Sequence, residues 1–225
     1  MPPARYDGQT EWYETFASGA SFAATRACAA RLLGRGPGRC LDLGCGTGLT
    51  IPLLVDAGWS VVGADVSADQ LRAAERHAGP GVALVQADAH ALPFADGAFD
   101  AVVSVLTHTD FDDPARVFAE THRVLRAGGT FVYVGVHPCF ASPFVERSEE
   151  GVPVGLRPGY REQGWQFLPP DRESTRIRAR VGINHLPLAG LLNAIAGSGF
   201  TIEHVEEPGE TDPPMNIALR TVRRT

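Results

Sequence analysis

Hydrophobic and polar positions follow two alternating periods through the middle of the chain. Short apolar runs typical of buried strands are each followed by a segment with the period of an amphipathic helix. The pattern predicts strand 39–43, helix 47–57, strand 60–65, helix 67–78, strand 82–87, strand 98–105, helix 113–126 and strand 129–136. Strands that alternate with helices predict an α/β fold with a mostly parallel sheet and helices on both faces.

Several predicted helix ends carry residues typical of caps. Ser67 followed by Gln70 has the spacing of a capping box, and Asp113 before Pro114 predicts an N-cap with proline in the first turn. The glycine pair 128–129 predicts a C-cap that ends a helix before the next strand.

The amino-terminal segment differs from this core. Residues 9–34 predict two helical pieces around a break at residues 18–21. The segment carries four aromatic side chains, Trp12, Tyr13, Phe16 and Phe22. They are compatible with an amino-terminal lid, and equally with simple cover of one edge of the sheet.

Residues 137–183 interrupt the alternation with proline, glycine and arginine clusters, and residues 174–181 alternate as a strand does. An insertion of this length is usually a binding cap or a linker. Tyr160, Trp165 and Phe167 favour the cap, because a solvated linker lacks such apolar anchors.

The carboxyl-terminal part returns to regular periodicity. It predicts a helix at 186–197 and strands at 200–205 and 216–222. Because no helix separates these last two strands, they predict an antiparallel hairpin.

Length and composition limit the classes of function. A chain of 225 residues suits one α/β domain. Twenty basic and 26 acidic residues give a net charge of -6, which disfavours nucleic acid as a partner. Every basic residue is arginine, and the absence of lysine excludes Schiff-base chemistry and the phosphate-binding P-loop.

Cysteine usage and the lack of long apolar runs bear on location. Cys28, Cys40, Cys45 and Cys139 lack the paired spacing of a metal site and predict reduced thiols. The amino terminus has no signal-peptide core, and no run approaches the about 20 apolar residues of a membrane span. We therefore expect a cytoplasmic protein without a membrane partner.

The most informative stretch is residues 41–48, where a strand-like run ends in Asp42 and three alternating glycines. Gly44, Gly46 and Gly48 remove the side chains that would keep a ligand away from the backbone. A strand followed by such a turn and a helix predicts a ligand crevice at the carboxyl end of a parallel strand. A dinucleotide fingerprint would require glycine at the position of Leu49, so a dinucleotide is disfavoured.

Acidic residues recur at the ends of three successive strands. Asp42, Asp65 and Asp88 are spaced 23 positions apart, one strand-helix unit each, which places them along the same edge of the sheet. A carboxylate at the second strand can accept both hydroxyls of a ribose, and one after the third can accept an adenine amine. Asp42 favours a cationic ligand group over a pyrophosphate. Each carboxylate is alternatively an N-cap or a solvated turn residue.

The acidic-x-Gly-x-Gly-x-Gly motif resembles the first motif of class I S-adenosylmethionine-dependent methyltransferases. The strand ends 61–65 and 86–89, the strand 99–104 and the loop 125–129 also resemble that family. The similarity is strongest over residues 36–136 and points to the type 11, ubiquinone and menaquinone methyltransferase-like group. It implies a Rossmann-like fold with a seven-stranded sheet, S-adenosylmethionine as cofactor and S-adenosylhomocysteine as product.

The sequence patterns divide the single domain into four parts, and the resemblance adds roles for cofactor-binding residues in the core. The parts are a helical lid (1–34), a cofactor-binding core (36–136), a substrate cap (137–184) and a terminal helix with a hairpin (185–225). Val66 and Ala89 would frame the adenine, and Val105 and Leu106 would lie under the methionine part. The full set is Asp42, Gly44, Cys45, Gly46, Thr47, Gly48, Asp65, Val66, Asp88, Ala89, Val105 and Leu106.

Methyl transfer by in-line displacement requires orientation and exclusion of water, and a base only when the nucleophile carries a proton. The candidate catalytic residues are His137, His108, Asp110, His185 and Tyr13. The hypothesis is that His108 or His137 removes the proton of the acceptor. Each histidine is alternatively a structural hydrogen-bonding group.

The acceptor class follows from what the chain lacks. The stretch Leu106–Asp110 does not contain the Asn/Asp-Pro-Pro-aromatic motif of methyltransferases that act on adenine or glutamine amides. Together with the acidic charge and the aromatic cap, this favours a small, partly apolar metabolite methylated on O, N or C. Asp110, Asp112 and Asp113 lack a complementary ligand set, so no metal is expected.

Three other readings stay open. A tRNA or protein methyltransferase would show a basic surface built from Arg172, Arg176, Arg178 and Arg180, which are alternatively the solvated face of a strand. The second alternative is a non-catalytic module that binds the cofactor, and the third is a nicotinamide-dependent reductase. A homodimer stays open beside a monomer.

Overall fold

A computed structural model describes residues 4–148, 152–170 and 173–224, with the side chains of 173–175 excepted. The helices are α1 (Thr10–Ala17), α2 (Ala20–Leu33), α3 (Ile51–Asp56), α4 (Ala68–Ala78), α5 (Pro114–Val124), α6 (Glu173–Val181) and α7 (Leu188–Gly197), with a 3-10 turn at His108–Asp110. The strands are β1 (Arg39–Leu43), β2 (Ser60–Asp65), β3 (Ala83–Gln86), β4 (Phe99–Val105), β5 (Leu125–Val136), β6 (Val145–Arg147), β7 (Pro153–Leu156), β8 (Gly164–Gln166), β9 (Ile183–His185), β10 (Phe200–Glu206) and β11 (Asn216–Arg223).

The main sheet of the described residues has seven strands in the order β10-β11-β5-β4-β1-β2-β3. Strands β1 to β5 are parallel, whereas β11 pairs antiparallel with both β5 and β10. This confirms the predicted Rossmann-like α/β fold with a carboxyl-terminal hairpin. The central strand β1 lies between β4 and β2, where the chain crosses from one half of the sheet to the other. A crevice at such a crossing is the usual ligand site of open α/β sheets.

Two apolar cores cover the two faces of the sheet. One contains Leu41 and Leu43 of β1 and packs against α5 and α7, and the other contains Cys40 and packs against α2, α3 and α4. Side chains alternate along a strand, so Asp42 points to the same side as Cys40, toward α2 and α3. The strand interiors are buried on both faces, which explains why they read as continuous apolar runs.

Some predicted elements in the core are wrong at their ends. The helix predicted at 47–57 begins only at Ile51. Residues 44–48 form the glycine turn, whose positive φ values are not helical. Helix 113–126 ends at Val124, and the glycine pair 128–129 lies inside β5 instead of forming a cap. The capping box at α4 is only half formed: the Ser67 hydroxyl accepts the Gln70 N–H, but the Gln70 side chain has no partner within the described residues.

The segment after β5 contains regular structure that the alternating pattern did not predict. Strands β6 and β7 form one antiparallel pair, β8 and β9 form another, and α6 lies between β8 and β9 in the chain. The predicted strand at 174–181 is wrong, since this stretch is part of α6. Ile177 and Val181 are buried one helical turn apart, which satisfies the apolar positions without strand alternation. The role of 137–184 as a substrate cap stays a prediction.

Candidate functional site

The glycine turn between β1 and α3 forms the floor of the candidate site. All three of its glycines have positive φ, which L side chains rarely adopt. A Cβ on Gly48 would lie 3.0 Å from the Cβ of Ala74, so α4 packs directly on this backbone. At Gly46, a Cβ would meet only the side chains of Tyr13 and Gln70, at 3.6 and 4.0 Å. The turn is closed on one side by α4 and covered at Gly46 by the side chains of Tyr13 and Gln70.

The carboxylate of Asp65 holds two backbone segments together at the end of β2. Gly46 donates its N–H to Oδ2 and Ser67 donates its N–H to Oδ1, each at 2.9 Å. Burial raises the pKa of Asp65, and these two hydrogen bonds oppose that rise. The side chain thus fixes the glycine turn relative to the start of α4.

Asp42 is a buried carboxyl with an unsatisfied atom. Within the described residues its Oδ2 has no hydrogen-bond partner, and neither do Thr47 Oγ1 nor the side-chain amide of Gln70. Burial, and then the charge of Asp65, raise the pKa of Asp42 to about 7. Buried polar atoms are normally paired, so a cluster of four unpaired ones around a glycine turn fits the binding of a polar ligand.

The other predicted cofactor residues lie along the same edge with different degrees of exposure. Asp88 is exposed after β3, and its Oδ1 accepts hydrogen bonds from the backbone and the ring of His90. Val66 is 40% exposed, Ala89 is half-buried, and Val105 borders the cavity above the glycine turn. Leu106 also borders that cavity and has φ of +60°, a strained value for a non-glycine residue.

Cys45 contributes only its backbone to this turn. Its thiol lies in the apolar core, where a Cβ on Gly63 would come within 3.0 Å of the sulfur. The cysteines within the described residues are free thiols, and no group of three His, Cys, Asp or Glu side chains among those residues is arranged to hold a metal ion.

The amino-terminal helices close the space above the glycine turn. The cavity there is lined by Tyr13, Ala17, Phe22 and Arg26 from α1 and α2, opposite Asp42 and Leu106. It holds only about 30 Å³, whereas small-molecule sites usually offer about 300–1,000 Å³. The space directly above the glycine turn is thus much smaller than a usual small-molecule site.

Arg26 is a residue of this cavity that the sequence did not single out. Its Nη1 donates to the carbonyl of Ala17 at 2.8 Å, which leaves the guanidinium beside the cavity. A cation in a wall that also contains Asp42 provides partners for both charges of an amino-acid group. Arg26 is one of two arginines in the alanine-rich helix α2, and no sequence pattern distinguishes it.

A buried ionic group connects the amino-terminal segment to the segment after β5. Arg178 of α6 donates to Asp110 Oδ1 at 2.7 Å, and the Tyr6 hydroxyl donates to the same oxygen at 3.2 Å. Nearby, the Arg5 guanidinium stacks over the Trp165 ring at 3.7 Å and pairs with Asp112 at 3.1 Å. Asp110 is thus bound from both sides.

The predicted catalytic histidines are held in hydrogen bonds. Burial lowers the pKa of His108 to about 3, and the charges of Arg178 and His185 add to this effect. The Tyr133 hydroxyl, whose own pKa is raised well above its usual value by burial, contacts His108 Nδ1. The phenol needs this acceptor, so the ring proton of His108 lies on Nε2 and the imidazole is neutral.

His137 and His185 are equally constrained. His137 Nδ1 accepts the Cys139 N–H at 3.1 Å, and its Nε2 lies 2.8 Å from a Glu207 carboxylate oxygen, so both ring nitrogens are used. His185 Nε2 donates to the Tyr160 carbonyl at 2.8 Å, and burial lowers the pKa of His185. The structure does not bring His137 into the cavity lining above the glycine turn.

Tyr13 is the candidate that does line the cavity. Burial, followed by the charges of Asp110 and Asp65, raises the pKa of Tyr13 to about 12. The hydroxyl therefore keeps its proton at neutral pH and serves as a hydrogen-bond donor.

Three of the arginines proposed as a basic surface, Arg176, Arg178 and Arg180, belong to α6 instead of a strand, and Arg172 lies outside the described residues. Arg178 is bound to Asp110, and Arg180 donates to the carbonyl of Asp7 at 3.4 Å.

Comparison with known proteins gives a consistent picture. A family model described as a methyltransferase domain matches residues 41–133. The crystal structure of an S-adenosylmethionine-dependent methyltransferase from Mesorhizobium loti is 30% identical, with a TM-score of 0.73 over 91% of this chain and 98% of that chain. A demethylmenaquinone methyltransferase of Thermus thermophilus is 41% identical over 111 residues, 47% of this chain and 50% of that protein.

A second curated relative matches more of the chain. The chloroplastic 2-methyl-6-phytyl-1,4-hydroquinone methyltransferase 2 of Oryza sativa is 41% identical over 202 residues, 82% of this chain and 53% of that protein. The chain spans about half the length of the curated relatives it matches. In the described part of the chain, no helix has the length and apolar content needed to cross a bilayer.

Proposed function

The chain belongs to the S-adenosylmethionine-dependent methyltransferases, and from this membership we propose that it transfers a methyl group from that cofactor to a small, partly apolar metabolite. The unpaired carboxyl oxygen of Asp42 beside the positive-φ glycine turn carries the proposal. Such an atom in the wall of a cavity fits a cationic amino-acid group, and it fits the pyrophosphate of a dinucleotide poorly. This observation also disfavours the nicotinamide-dependent alternative.

The residues at the strand ends suit the parts of S-adenosylmethionine. We assign Asp65 to the ribose hydroxyls and Asp88, framed by Val66 and Ala89, to the adenine. Asp42 and Arg26 would pair with the amino and carboxylate groups of the methionine part. Val105 and Leu106 would contact its apolar portion. The bound cofactor supplies a methyl group already activated on a sulfonium.

The chain itself would contribute orientation and exclusion of water. The lid formed by α1 carries Tyr13 over the glycine turn, so its closure would separate the reacting groups from solvent. Three of the predicted bases are already engaged: His108 Nδ1 contacts the Tyr133 hydroxyl, both ring nitrogens of His137 have hydrogen-bond partners, and Asp110 is paired with Arg178. The proposal therefore favours an acceptor that is a good nucleophile by itself.

An electron-rich hydroquinone ring meets this requirement. Its ring carbon would form a bond to the methyl group as the methyl–sulfur bond breaks, S-adenosylhomocysteine would leave as a neutral thioether, and the proton on that ring carbon would go to solvent water. Two curated relatives are named as methyltransferases of demethylmenaquinone and of a phytyl hydroquinone. We propose a hydroquinone as the acceptor class of this protein, with the methyl group added to carbon.

The test is an assay with S-adenosylmethionine and a demethylated naphthohydroquinone kept reduced. We expect S-adenosylhomocysteine and a product heavier by one methylene group, detected by mass spectrometry. Calorimetric titrations with S-adenosylhomocysteine and NADPH complete the experiment. Binding of NADPH alone would contradict the proposal, and tight cofactor binding without turnover of any hydroquinone would show that hydroquinones are not the acceptor class.

Asp42 should make cofactor binding depend on pH. Its pKa of about 7 means that the carboxyl is mostly protonated at pH 6 and mostly ionised at pH 8. If the ionised form binds the cationic group, affinity for S-adenosylmethionine should rise about tenfold over this interval. Titration calorimetry at several pH values measures the change.

Asp42→Asn is the matched control for this pH profile, because it keeps the shape of the side chain and removes the titration. It should bind more weakly at pH 8 and show a flat profile. Without ligand, the raised pKa has the opposite sign for stability: the free energy of unfolding should fall as pH rises from 3.8, the ordinary carboxyl pKa, to about 7, and should stay level above that. An equally steep binding profile in Asp42→Asn would assign the titration to another group.

A further inference from the structure

The side chain of His90 ties the turn after β3 to the start of α5. Its Nε2 accepts the backbone N–H of Asp113, the N-cap residue of α5, at 3.1 Å. Its Nδ1 lies 2.7 Å from Oδ1 of Asp88. The Phe111 ring packs edge-on against the imidazole, with ring centroids 6.2 Å apart. The imidazole thus bridges two segments that are 23 positions apart in the chain.

These two polar contacts fix the position of the ring proton. A backbone N–H only donates, so Nε2 of His90 is the accepting nitrogen and has no proton. The proton of the neutral imidazole therefore lies on Nδ1, which donates it to the Asp88 carboxylate. The His90 side chain is 18% exposed, so water competes little for either nitrogen.

The two carboxylate oxygens of Asp88 have different surroundings. Oδ1 accepts the ring N–H and the backbone N–H of His90, at 2.7 and 2.9 Å. Oδ2 accepts no hydrogen bond from the described residues. Partial burial acts to raise the pKa of Asp88, but the hydrogen bonds from His90 outweigh it and hold the pKa below its ordinary value. Asp88 is thus an ionised carboxylate with one oxygen fixed on the protein and the other left for a ligand.

We propose that His90 is a positioning residue for recognition of the adenine amine, because it holds the Asp88 carboxylate with Oδ2 toward the exocyclic N–H of the cofactor. The inference rests on the proposed function, which assigns Asp88 to the adenine, and it adds the residue that makes the site selective for an aminopurine. The Asp88 side chain is 51% exposed, so without the ring contact it rotates among several conformations. The hydrogen bond from Nδ1 orders the carboxylate before the ligand arrives, which lowers the cost of binding.

The alternative is that His90 only secures the start of α5. Its Nε2 contact serves that purpose, and so does its carbonyl, which accepts the Nε–H of Arg116 at 3.0 Å. The contact with Asp88 involves the other ring nitrogen. The two roles therefore belong to different atoms of one side chain and are separable by substitution.

Two substitutions each keep one of the two hydrogen bonds. The amide of asparagine reaches as far as Nδ1, so His90→Asn still donates to Asp88 but leaves the Asp113 N–H without its acceptor. The amide of glutamine reaches as far as Nε2, so His90→Gln still accepts from Asp113 but no longer places a donor at the position of Nδ1. His90→Phe keeps a ring against Phe111 and removes both hydrogen bonds.

The experiment is calorimetric titration of the full chain with two ligands, S-adenosylhomocysteine and its analogue with purine in place of adenine, which lacks the amine. The unmodified protein should prefer the adenine compound about tenfold, as expected for a half-exposed hydrogen bond to a carboxylate. The preference should fall to about threefold in His90→Phe and His90→Gln, because the carboxylate must then be ordered on binding. In His90→Asn it should stay at about tenfold.

Two controls separate this effect from damage to the fold. His204 forms an exposed pair with Glu206, also two positions away, on β10 at the opposite edge of the sheet. His204→Phe should leave the preference at about tenfold. Urea denaturation without ligand measures the contact with α5, and His90→Gln should be more stable than His90→Asn. The order of stability is thus expected to be the reverse of the order of preference.

Other outcomes would overturn the proposal. A tenfold preference that survives in both His90→Phe and His90→Gln would show that Asp88 needs no support from the imidazole. A preference that follows stability, and is lower in His90→Asn than in His90→Gln, would assign His90 to the start of α5 alone. Equal affinities for the two ligands in the unmodified protein would remove His90 and Asp88 from recognition of the amine.

The titrations need no methyl acceptor, so they separate this inference from the proposed function. If the preference changes as expected but no acceptor is methylated, the role of His90 is confirmed and the proposed function is wrong. If a hydroquinone is methylated but the preference is the same in all His90 variants, the proposed function stands and the inference is wrong.

Discussion

Replacement of Asp65 by alanine should weaken binding of S-adenosylmethionine about 100-fold, or about 2.7 kcal/mol. The carboxylate accepts the N–H groups of Gly46 and Ser67, so the substitution removes two charge-assisted hydrogen bonds and frees the glycine turn. It also removes the acceptor that we assign to the ribose hydroxyls. Titration calorimetry measures the affinity, and urea denaturation without ligand measures the part that belongs to the turn.

Asp88→Ala is the matched comparison at the next strand end. Its carboxylate bonds only His90 among the described residues, and its side chain is 51% exposed. We expect a loss of affinity of about tenfold or less, with little change in stability. If Asp65→Ala and Asp88→Ala weaken S-adenosylmethionine binding equally, Asp65 does not have the additional role of fixing the glycine turn.

Arg178→Met should lower the free energy of unfolding by about 2–4 kcal/mol, because it leaves the Asp110 carboxylate partly buried without its cation. The side chains of Arg178 and Asp110 are 18% and 21% exposed, so water recovers only part of the lost interaction. Methionine keeps most of the packing of the arginine stem. Urea denaturation followed by circular dichroism measures the change.

Two further variants separate the ion pair from general damage to α6. Arg180→Met lies on the same helix at an exposed position and should change stability by less than about 0.5 kcal/mol. The double variant Arg178→Met with Asp110→Asn removes the unpaired charge and should recover part of the loss. If the double variant is less stable than Arg178→Met, the Asp110 carboxylate stabilises the fold through other contacts, such as the hydrogen bond from the Tyr6 hydroxyl.

The core of the fold follows from local sequence patterns. Buried parallel strands require continuous apolar runs, and a backbone that turns with positive φ requires glycine, so β1, β2 and the turn between β1 and α3 were predictable. The positions of Asp42 and Asp65 at one sheet edge followed from the repeat of the strand-helix unit. Both the spacing and the glycines are properties of neighbouring residues.

The environment of the candidate catalytic groups depends on contacts between distant residues. His108 is neutral because it is buried and lies near the charge of Arg178, and Tyr133, 25 positions away, bonds its ring. Glu207 and Cys139 use both nitrogens of His137 in the same way. No period in the sequence encodes these pairs, so a histidine at a strand end looks identical whether it is a base or a structural group.

The secondary structure of the segment 137–184 was difficult to predict from sequence for a related reason. Its short strands pair with each other outside the main sheet, and α6 contains arginines at alternate positions that imitate a strand. Its conformation depends on the burial of Ile177 and Val181 and on the ion pair of Arg178 with Asp110, which are contacts with distant parts of the chain.

The shared carboxylate of Asp110 has a consequence for engineering acceptor specificity. Tyr6, before α1, and Arg178, in α6, both donate to Oδ1 of Asp110. A chimera that takes the segment after β5 from a relative would replace Arg178 and keep Tyr6. A chimera that takes only the amino-terminal segment would replace Tyr6 and keep Arg178. We therefore expect functional recombinants only when both segments come from the same parent.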